Sequence, residues 1–444
     1  MSKSALFYQS GVDLPLVSHG EGIYLWDTEG KRYIDACSGA ITCNMGHQHP
    51  AITAAMKAQL DQVAFSYRTQ FESQVAVDLG DELVALSCGH LQKVFFVGGG
   101  SEAVESAMKL ARQYFFERGE PQRKRFVSLS PSYHGSTLGA LGLTGYEPLE
   151  KPFKDLVMPS IKVPSPDFYR YREGDVESHI AAVLEQTEAA MAAEPADSII
   201  AFVLEPVGGA STGGRMLNQQ YLEGVQRLCH RFGCLLIMDE VLSGMGRTGE
   251  WFAWQHWDIR PDILALAKGM GAGYYPIAAI MARDELVDTI QSKSGFMHGH
   301  TYAGNPLACA TGLAVIRAMK DEAVLENVRK EGVYLREQLD WLKSRHACIG
   351  DVRGIGFLQG VELVQSQSSK EPFPAEFNAF NKITQIAKDN GLLIYPRRCL
   401  NGVLGDHFLV TPPLNTTHQQ IDEIIALLDQ SLTEFAQTLP DKAI

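Results

Sequence analysis

Ile263-Leu264-Ala265-Leu266-Ala267-Lys268-Gly269-Met270-Gly271 is an apolar run that delivers one lysine and then breaks into glycines. Upstream, Cys234-Leu235-Leu236-Ile237-Met238 is a second apolar run, and it ends in Asp239-Glu240. Short continuous apolar runs that stop at polar residues read as strands buried on both faces. A lysine at the mouth of such a strand is costly as an ammonium ion, so burial favours the neutral amine. That neutral form is the one that attacks an aldehyde to make a Schiff base. The ordinary reading of a lysine at a loop start is a solvated surface group. The strand before Lys268 and the Gly-Met-Gly after it argue against that reading here.

Working outward, the same pattern repeats. Val94-Phe95-Phe96-Val97 ends in Gly98-Gly99-Gly100-Ser101, and a helix follows with Ala103, Val104, Ala107, Met108, Ala111 and Phe115 on one face. Arg125–Leu129 and Ile199–Leu204 are further strand runs separated by helical stretches. Apolar strands alternating with helices predict a mainly parallel α/β sheet covered on both faces. Nearer the N-terminus, residues 23–27 and 32–35 read as a hairpin around Thr28-Glu29-Gly30, and residues 50–63 and 73–87 as helices. The tail differs: amphipathic helices over 322–346 and 417–437 surround short strands near 351–364 and 404–411, a smaller α+β lobe. Gln365–Pro374 is polar, carries two prolines and reads as a surface loop. The domain division is residues 1–60 for the N-terminal part of a small domain, 61–310 for a large domain, and 311–444 for the rest of the small one.

The chain has 444 residues, 45% hydrophobic and 20% charged, the composition of an ordinary globular protein. With 39 Lys+Arg against 52 Asp+Glu, the net charge of −13 and the lack of a basic stripe argue against nucleic acid and against an anionic membrane. No apolar stretch approaches the ~20 residues that span a bilayer. Met1-Ser2-Lys3-Ser4-Ala5 lacks a cationic region followed by an apolar core, so no secretory leader is expected. Eight cysteines without a Cys-x-x-Cys pair read as reduced packing residues of a cytoplasmic protein. His47-Gln48-His49 is the nearest approach to a metal pair, and without further ligands at the usual spacing no metal is expected.

Gly98–Ser101 sits between a strand and a helix, where glycine backbone N–H groups and the helix N-terminus suit an anion such as phosphate. Ser101 doubles as the expected N-cap. The loop lacks the lysine of a P-loop and the G-x-G-x-x-G of a dinucleotide fold, which disfavours a dehydrogenase. Tyr133, in Ser132-Tyr133-His134-Gly135, ends a strand where its ring could lie on a planar cofactor for about 0.5–1.5 kcal/mol. Glu205 ends the Ile199–Leu204 strand. Ser101, Glu205, Asp239 and Lys268 are therefore expected on one edge of the sheet, where α/β ligands bind. A lysine amine and a carboxylate able to hold a protonated pyridine nitrogen are the two requirements of pyridoxal phosphate chemistry.

Gly99-Gly100-Ser101-Glu102-Ala103-Val104-Glu105, Tyr133-His134-Gly135, Glu205-Pro206, Asp239-Glu240-Val241 with Gly246-Arg247-Thr248-Gly249, Lys268-Gly269 and His300-Thr301-Tyr302-Ala303-Gly304-Asn305-Pro306 resemble the class III aminotransferases, from about Gly22 to about Leu428. The resemblance implies fold type I, with a seven-stranded, mainly parallel sheet in the large domain and a small α+β domain formed by both termini. It implies pyridoxal 5′-phosphate bound to Lys268, which also shuttles the substrate proton, with Asp239 on the pyridine nitrogen. It further implies Gly100 and Ser101 on the phosphate, Tyr133 and Val241 against the ring, and His134 and Glu205 in the same site. Thr301 is similar to the threonine that reaches the partner subunit's phosphate, so a homodimer with shared sites is implied, or a tetramer built from it.

Departures from the family pattern concern the substrate. Ser136 stands where GABA- and ornithine-type members carry arginine, as in the ω-amino acid:pyruvate and diaminopelargonate branches. Gly405–Pro413 is similar to the ω-transaminase pattern, whose mobile carboxylate-binding arginine falls at Arg397 or Arg398. A guanidinium fork suits a carboxylate. A solvated basic pair is the other reading, and Arg68 beside Tyr67 is a weaker candidate. Ile41 replaces the family tryptophan that shapes the pocket. The expectation is a ping-pong transfer of an amino group from an ω-amino acid or amine to a 2-oxo acid such as pyruvate. A dialkylglycine-type decarboxylating transaminase, an amino acid racemase or epimerase, and a non-catalytic cofactor-binding or regulatory protein are the alternatives.

Overall fold

The computed structural model describes residues 5–6, 14–171 and 175–439. Residues 1–4, on which the leader reading rests, lie outside them. In chain order the strands are β1 (Val17–Glu21), β2 (Tyr24–Asp27) and β3 (Arg32–Asp35), then β4 (Lys93–Val97), β5 (Arg125–Ser130), β6 (Ile161–Pro164) and β7 (Ile199–Leu204). They continue with β8 (Leu235–Asp239), β9 (Ile263–Leu266) and β10 (Ala278–Ala282). The last six are β11 (Ile349–Ile355), β12 (Leu358–Ser366), β13 (Glu371–Pro372), β14 (Leu392–Leu393), β15 (Tyr395–Leu400) and β16 (Leu404–Val410).

The central sheet has seven strands in the order β4-β10-β9-β8-β7-β5-β6. β5 through β9 pair in parallel, while β10 runs antiparallel to both β4 and β9. Successive residues of each strand serve opposite faces, as the pleat requires. Phe202, Leu204, Leu236, Met238, Leu264 and Leu266 enter one buried cluster; Ala201, Val203, Leu235, Ile237, Ile263 and Ala265 enter the other. This two-sided burial is why the runs read as unbroken apolar segments, and each large side chain contributes about 1.5–3 kcal/mol. The helix Gly100–Glu117 lies across β7, β8, β9 and β10 on the second face.

β4 runs parallel to β9, since both are antiparallel to β10. Gly98, Glu205, Asp239 and Lys268 therefore all leave the sheet at its carboxyl edge, as expected for an α/β ligand crevice. β10 was not legible: Ala278-Ala279-Ile280-Met281-Ala282 is apolar, but nothing in it marks a reversed direction.

A further core cluster joins both ends of the chain, with Ile23 and Ile34 packed among Val352, Ile383, Ile421 and Phe435. β14 pairs in parallel with β3, so the N-terminal β1-β2-β3 sheet is completed by a C-terminal strand. The hairpin over β2 and β3 and the helices Pro50–Gln62, Gln74–Leu86, Val324–Arg345 and His418–Ala436 stand where the periodicity places them. The Gln365–Pro374 stretch is not all loop: β12 extends through Ser366, β13 pairs back on it, and Phe373 is buried. Backbone pairing there overrides the polar composition. No helix among the described residues is long and apolar enough to cross a membrane.

Candidate active site

Lys268 stands one residue beyond the end of β9, after Ala267, at a positive φ of 42° that turns its side chain out of the strand direction. Among the described residues its Nζ accepts or donates no hydrogen bond. Burial pushes the amine down to about 8, against the opposing pull of the Asp239 and Glu205 carboxylates; the Arg247 and Arg397 cations push it the same way as burial. A value of about 8 leaves the amine mostly protonated at neutral pH, but raises its neutral fraction by roughly two orders of magnitude over an ordinary lysine's.

Asp239, at the end of β8, is 5% exposed. Its Oδ2 pairs with His134 Nδ1 at 2.8 Å, and its Oδ1 accepts the Val241 N–H at 3.0 Å. His134 is held in turn by its backbone N–H donating to Thr144 Oγ1 at 2.9 Å. His134 Nε2 is buried without a partner. The Asp239 carboxylate is consequently fixed from two sides.

Glu205 works at one remove. Its Oε2 accepts the Tyr133 N–H at 3.0 Å and its Oε1 the Gly209 N–H at 3.1 Å. Burial raises its pKa, with the His134 ring opposing. The carboxylate ties the loop after β7 to the loop that carries Tyr133. The Tyr133 ring itself is 39% exposed and its hydroxyl meets Ser136 Oγ at 3.0 Å, which leaves a ring face open to a planar partner.

The N-cap of the Gly100–Glu117 helix is Gly99, not Ser101, and no side chain among the described residues caps it. Ser101 lies inside the first turn and its Oγ accepts the Ser136 N–H at 3.0 Å. A cap at Ser101 is what residue preference suggests; three consecutive glycines let the helix begin two residues earlier. A Cβ on Gly100 would come within 2.8 Å of Val241 Cγ1, and one on Gly135 within 2.5 Å of Ser101 Oγ. Backbone therefore closes around this cup where any side chain would collide.

These features fit pyridoxal phosphate: uncapped helix N–H groups for the phosphate, an anchored carboxylate for the ring nitrogen, an open tyrosine face, and an unpaired amine of lowered pKa.

The structure separates the two adjacent arginines. Arg398 Nε lies 3.3 Å from Asp406 Oδ1, and its Nη2 donates to Ala375 O at 2.6 Å. Arg397 is exposed, donates long hydrogen bonds to Tyr395 Oη at 3.3 Å and Pro396 O at 3.4 Å, and has no carboxylate partner among the described residues. Arg68 lies elsewhere, over the Phe95 ring and against His298 O. Tyr67 is 43% exposed in the same stretch. Ile41 is buried with Val207, Ala253, Leu358 and Leu409 and packs near Leu242 and Tyr395. Thr301 is exposed and makes no hydrogen bond to the Gly99–Ser101 cup of its own chain; the nearby His300 faces Glu102 at 3.8 Å.

Sequence reasoning missed Thr144, which holds His134, and undervalued Arg247. Arg247 is fully buried and donates to Asn44 Oδ1 at 2.6 Å, to Ser38 Oγ at 3.3 Å and to Pro412 O, pinning both ends of the chain to the large domain. An arginine flanked by Gly246 and Gly249 was the available signal.

A family model described as "Aminotransferase class-III" matches residues 8–432. The "Uncharacterized aminotransferase YodT" of Bacillus subtilis is 37% identical over 427 residues, covering 96% of each chain. A thermostable (S)-enantioselective omega-transaminase from Thermomicrobium roseum superposes with a TM-score of 0.91 at 32% identity, covering 97% of this chain and 96% of that one. An amine transaminase from an uncultivated Pseudomonas species, solved in its PLP-bound form, gives 0.91 at 31% identity, covering 98% and 99%. This chain belongs to the class III aminotransferases, and it is a pyridoxal phosphate-dependent enzyme of amino-group transfer on fold type I.

Proposed function

We propose that this class III aminotransferase takes the amino group of an ω-amino acid or amine and passes it to a 2-oxo acid such as pyruvate, in two half-reactions at one site. The observation that carries the reading is Arg397: an exposed guanidinium without a carboxylate partner, close enough to Lys268 to depress its pKa. Such a group can clamp a carboxylate bidentately and stand aside for an uncharged amine. Ser136 in place of a fixed arginine beside Tyr133 supports the same reading.

Pyridoxal phosphate, when bound, supplies an aldehyde that takes up the amine and a ring that draws electrons from the substrate carbon. In this proposal the protein does the rest. The first-turn N–H groups of Gly100 and Ser101 hold the phosphate. Asp239, oriented by His134, keeps the proton on the ring nitrogen. Tyr133 and Val241 confine the ring from its two sides, with Glu205 fixing the Tyr133 loop. Lys268 Nζ, its pKa lowered by burial, would hold the cofactor and move a proton on and off the reacting carbon.

The proposal includes a homodimer. Leu60, Val63, Phe65, Tyr67, Phe71, Met297 and Tyr302 are large apolar side chains left exposed on one chain, and Phe65 and Tyr302 meet edge to face at 5.8 Å. Thr301 lies in this surface, where it would serve the partner's phosphate. The eight free cysteines suit a reducing, cytoplasmic setting, which is proposed with it.

The test is a half-reaction screen of the purified holoenzyme, following loss of the absorbance band of the lysine-bound cofactor. ω-Amino acids and simple amines are expected to discharge it. A band discharged by α-amino acids alone would overturn the assignment.

A further inference from the structure

We infer that Asp35, Cys43 and His47 form a binding site for one zinc-class divalent cation, beneath the loop that carries Lys268. Among the described residues this is the one group of three such side chains whose ligand atoms all lie within 4.8 Å of one another. The inference is independent of the substrate assignment.

Two atoms in it are aimed at something the protein does not provide. Asp35 is 0% exposed, and its Oδ1 is fully used: it accepts the Gly39 N–H at 2.9 Å and the Cys37 N–H at 3.3 Å. Its Oδ2 is buried and accepts no hydrogen bond, and the same is true of His47 Nε2. These two orphan atoms face each other at 3.7 Å. That is too long for a hydrogen bond. It is within reach of two atoms that each bond one ion at about 2.0–2.2 Å, a separation somewhat wider than the ideal tetrahedral one. Cys43 Sγ, within 4.8 Å of both atoms, is the third donor of the set, and a zinc–sulfur bond is about 2.3 Å. The anchoring of Oδ1 by backbone N–H groups is the kind of outer support that orients a metal-binding carboxylate.

The surroundings say what the ion would do. Cys43 Sγ lies 2.7 Å from where a Cβ would stand on Gly273, and Asn44 lies 2.2 Å from the equivalent point on Gly269. Asn44 also donates to Met245 O at 2.9 Å and accepts from Arg247. The Cys43–His47 segment is thus packed against the Lys268–Gly273 loop. An ion here ties the end of β3 and this segment into one unit under the active lysine. On binding, the Cys43 thiol gives its proton to solvent as the sulfur–metal bond forms, while Asp35 Oδ2 and His47 Nε2 each contribute a lone pair. No redox change is involved. The donor set of one thiolate, one imidazole and one carboxylate selects zinc or cadmium over magnesium or calcium.

The experiment uses holoenzyme carrying Cys88→Ser, which removes the exposed thiol. Cadmium is titrated and its thiolate charge-transfer band followed in the ultraviolet, with zinc content after dialysis measured by mass spectrometry. The expected result is one equivalent per chain, at least tenfold weaker binding in both Cys43→Ser and His47→Asn, and no effect of magnesium. Retention of the cofactor band in each variant shows that the fold is intact. Absence of a band at stoichiometric cadmium, or a band unchanged in His47→Asn, would overturn the site.

Discussion

Arg398 and Asp406 stand opposite each other on β15 and β16, Nε 3.3 Å from Oδ1, with Asp406 wholly buried. Neighbouring Arg397 pairs across the same ladder with His407 and leaves its guanidinium exposed. One arginine is therefore tied to a buried carboxylate of the neighbouring strand, while the next is left exposed.

Arg397→Ala is expected to lower kcat/KM for carboxylated donors and acceptors about 10- to 100-fold, the worth of one or two charge-assisted hydrogen bonds. Plain amines should lose much less. Equal losses for both classes would remove the carboxylate role. Arg398→Ala should instead cost stability, on the order of 2–3 kcal/mol, because it strands a buried carboxylate and because Arg398 is itself 17% exposed. Denaturant unfolding of the two variants side by side separates the effects.

The His134–Asp239 pair gives a second expectation. Asp239→Asn should lower kcat by on the order of 10²–10³, as for loss of one preorganised charge-stabilising group. His134→Gln leaves Asp239 its Val241 N–H and should weaken cofactor binding about tenfold. Cofactor titration of the apoenzyme gives the second number. A His134→Gln variant as damaged as Asp239→Asn would mean that His134 does more than orient the carboxylate.

Lys268 carries a pH signature. Capture of pyridoxal phosphate by apoenzyme needs the neutral amine, whose fraction rises with pH. With the amine lowered from 10.5 to about 8, the capture rate should reach half its plateau near pH 8. Arg397→Gln removes a cation that disfavours the ammonium, so its midpoint should move upward. A wild-type midpoint near 10 would show that burial does not act on this lysine.

Tyr302, 66% exposed on the single chain, tests the subunit contact. Tyr302→Asp places a charge in the proposed apolar interface and should shift the protein toward monomer in sedimentation velocity. Cofactor retention should fall with it, because Thr301 is adjacent. An unchanged mass distribution would place the dimer contact elsewhere.

The sequence determined the chemistry-bearing edge of this protein. Buried parallel strands are apolar on both faces, so β7, β8 and β9 stand out as runs, and the polar residue that ends each run must emerge at the same edge once the strands are parallel. Glu205, Asp239 and Lys268 were placed by that logic alone, and the glycines before Ser101 marked the cup. Tertiary structure decided the rest. The reversed β10 and the pairing of β14 with β3 depend on partners 181 and 358 positions away in register, Ala278 with Val97 at the first and Leu392 with Ile34 at the second, and no local pattern encodes them. The division between Arg397 and Arg398 depends on Asp406, and the fixing of His134 on Thr144, which are side-chain meetings set by packing. Periodicity reports which face of an element is buried; it carries no record of which polar group waits on the other side.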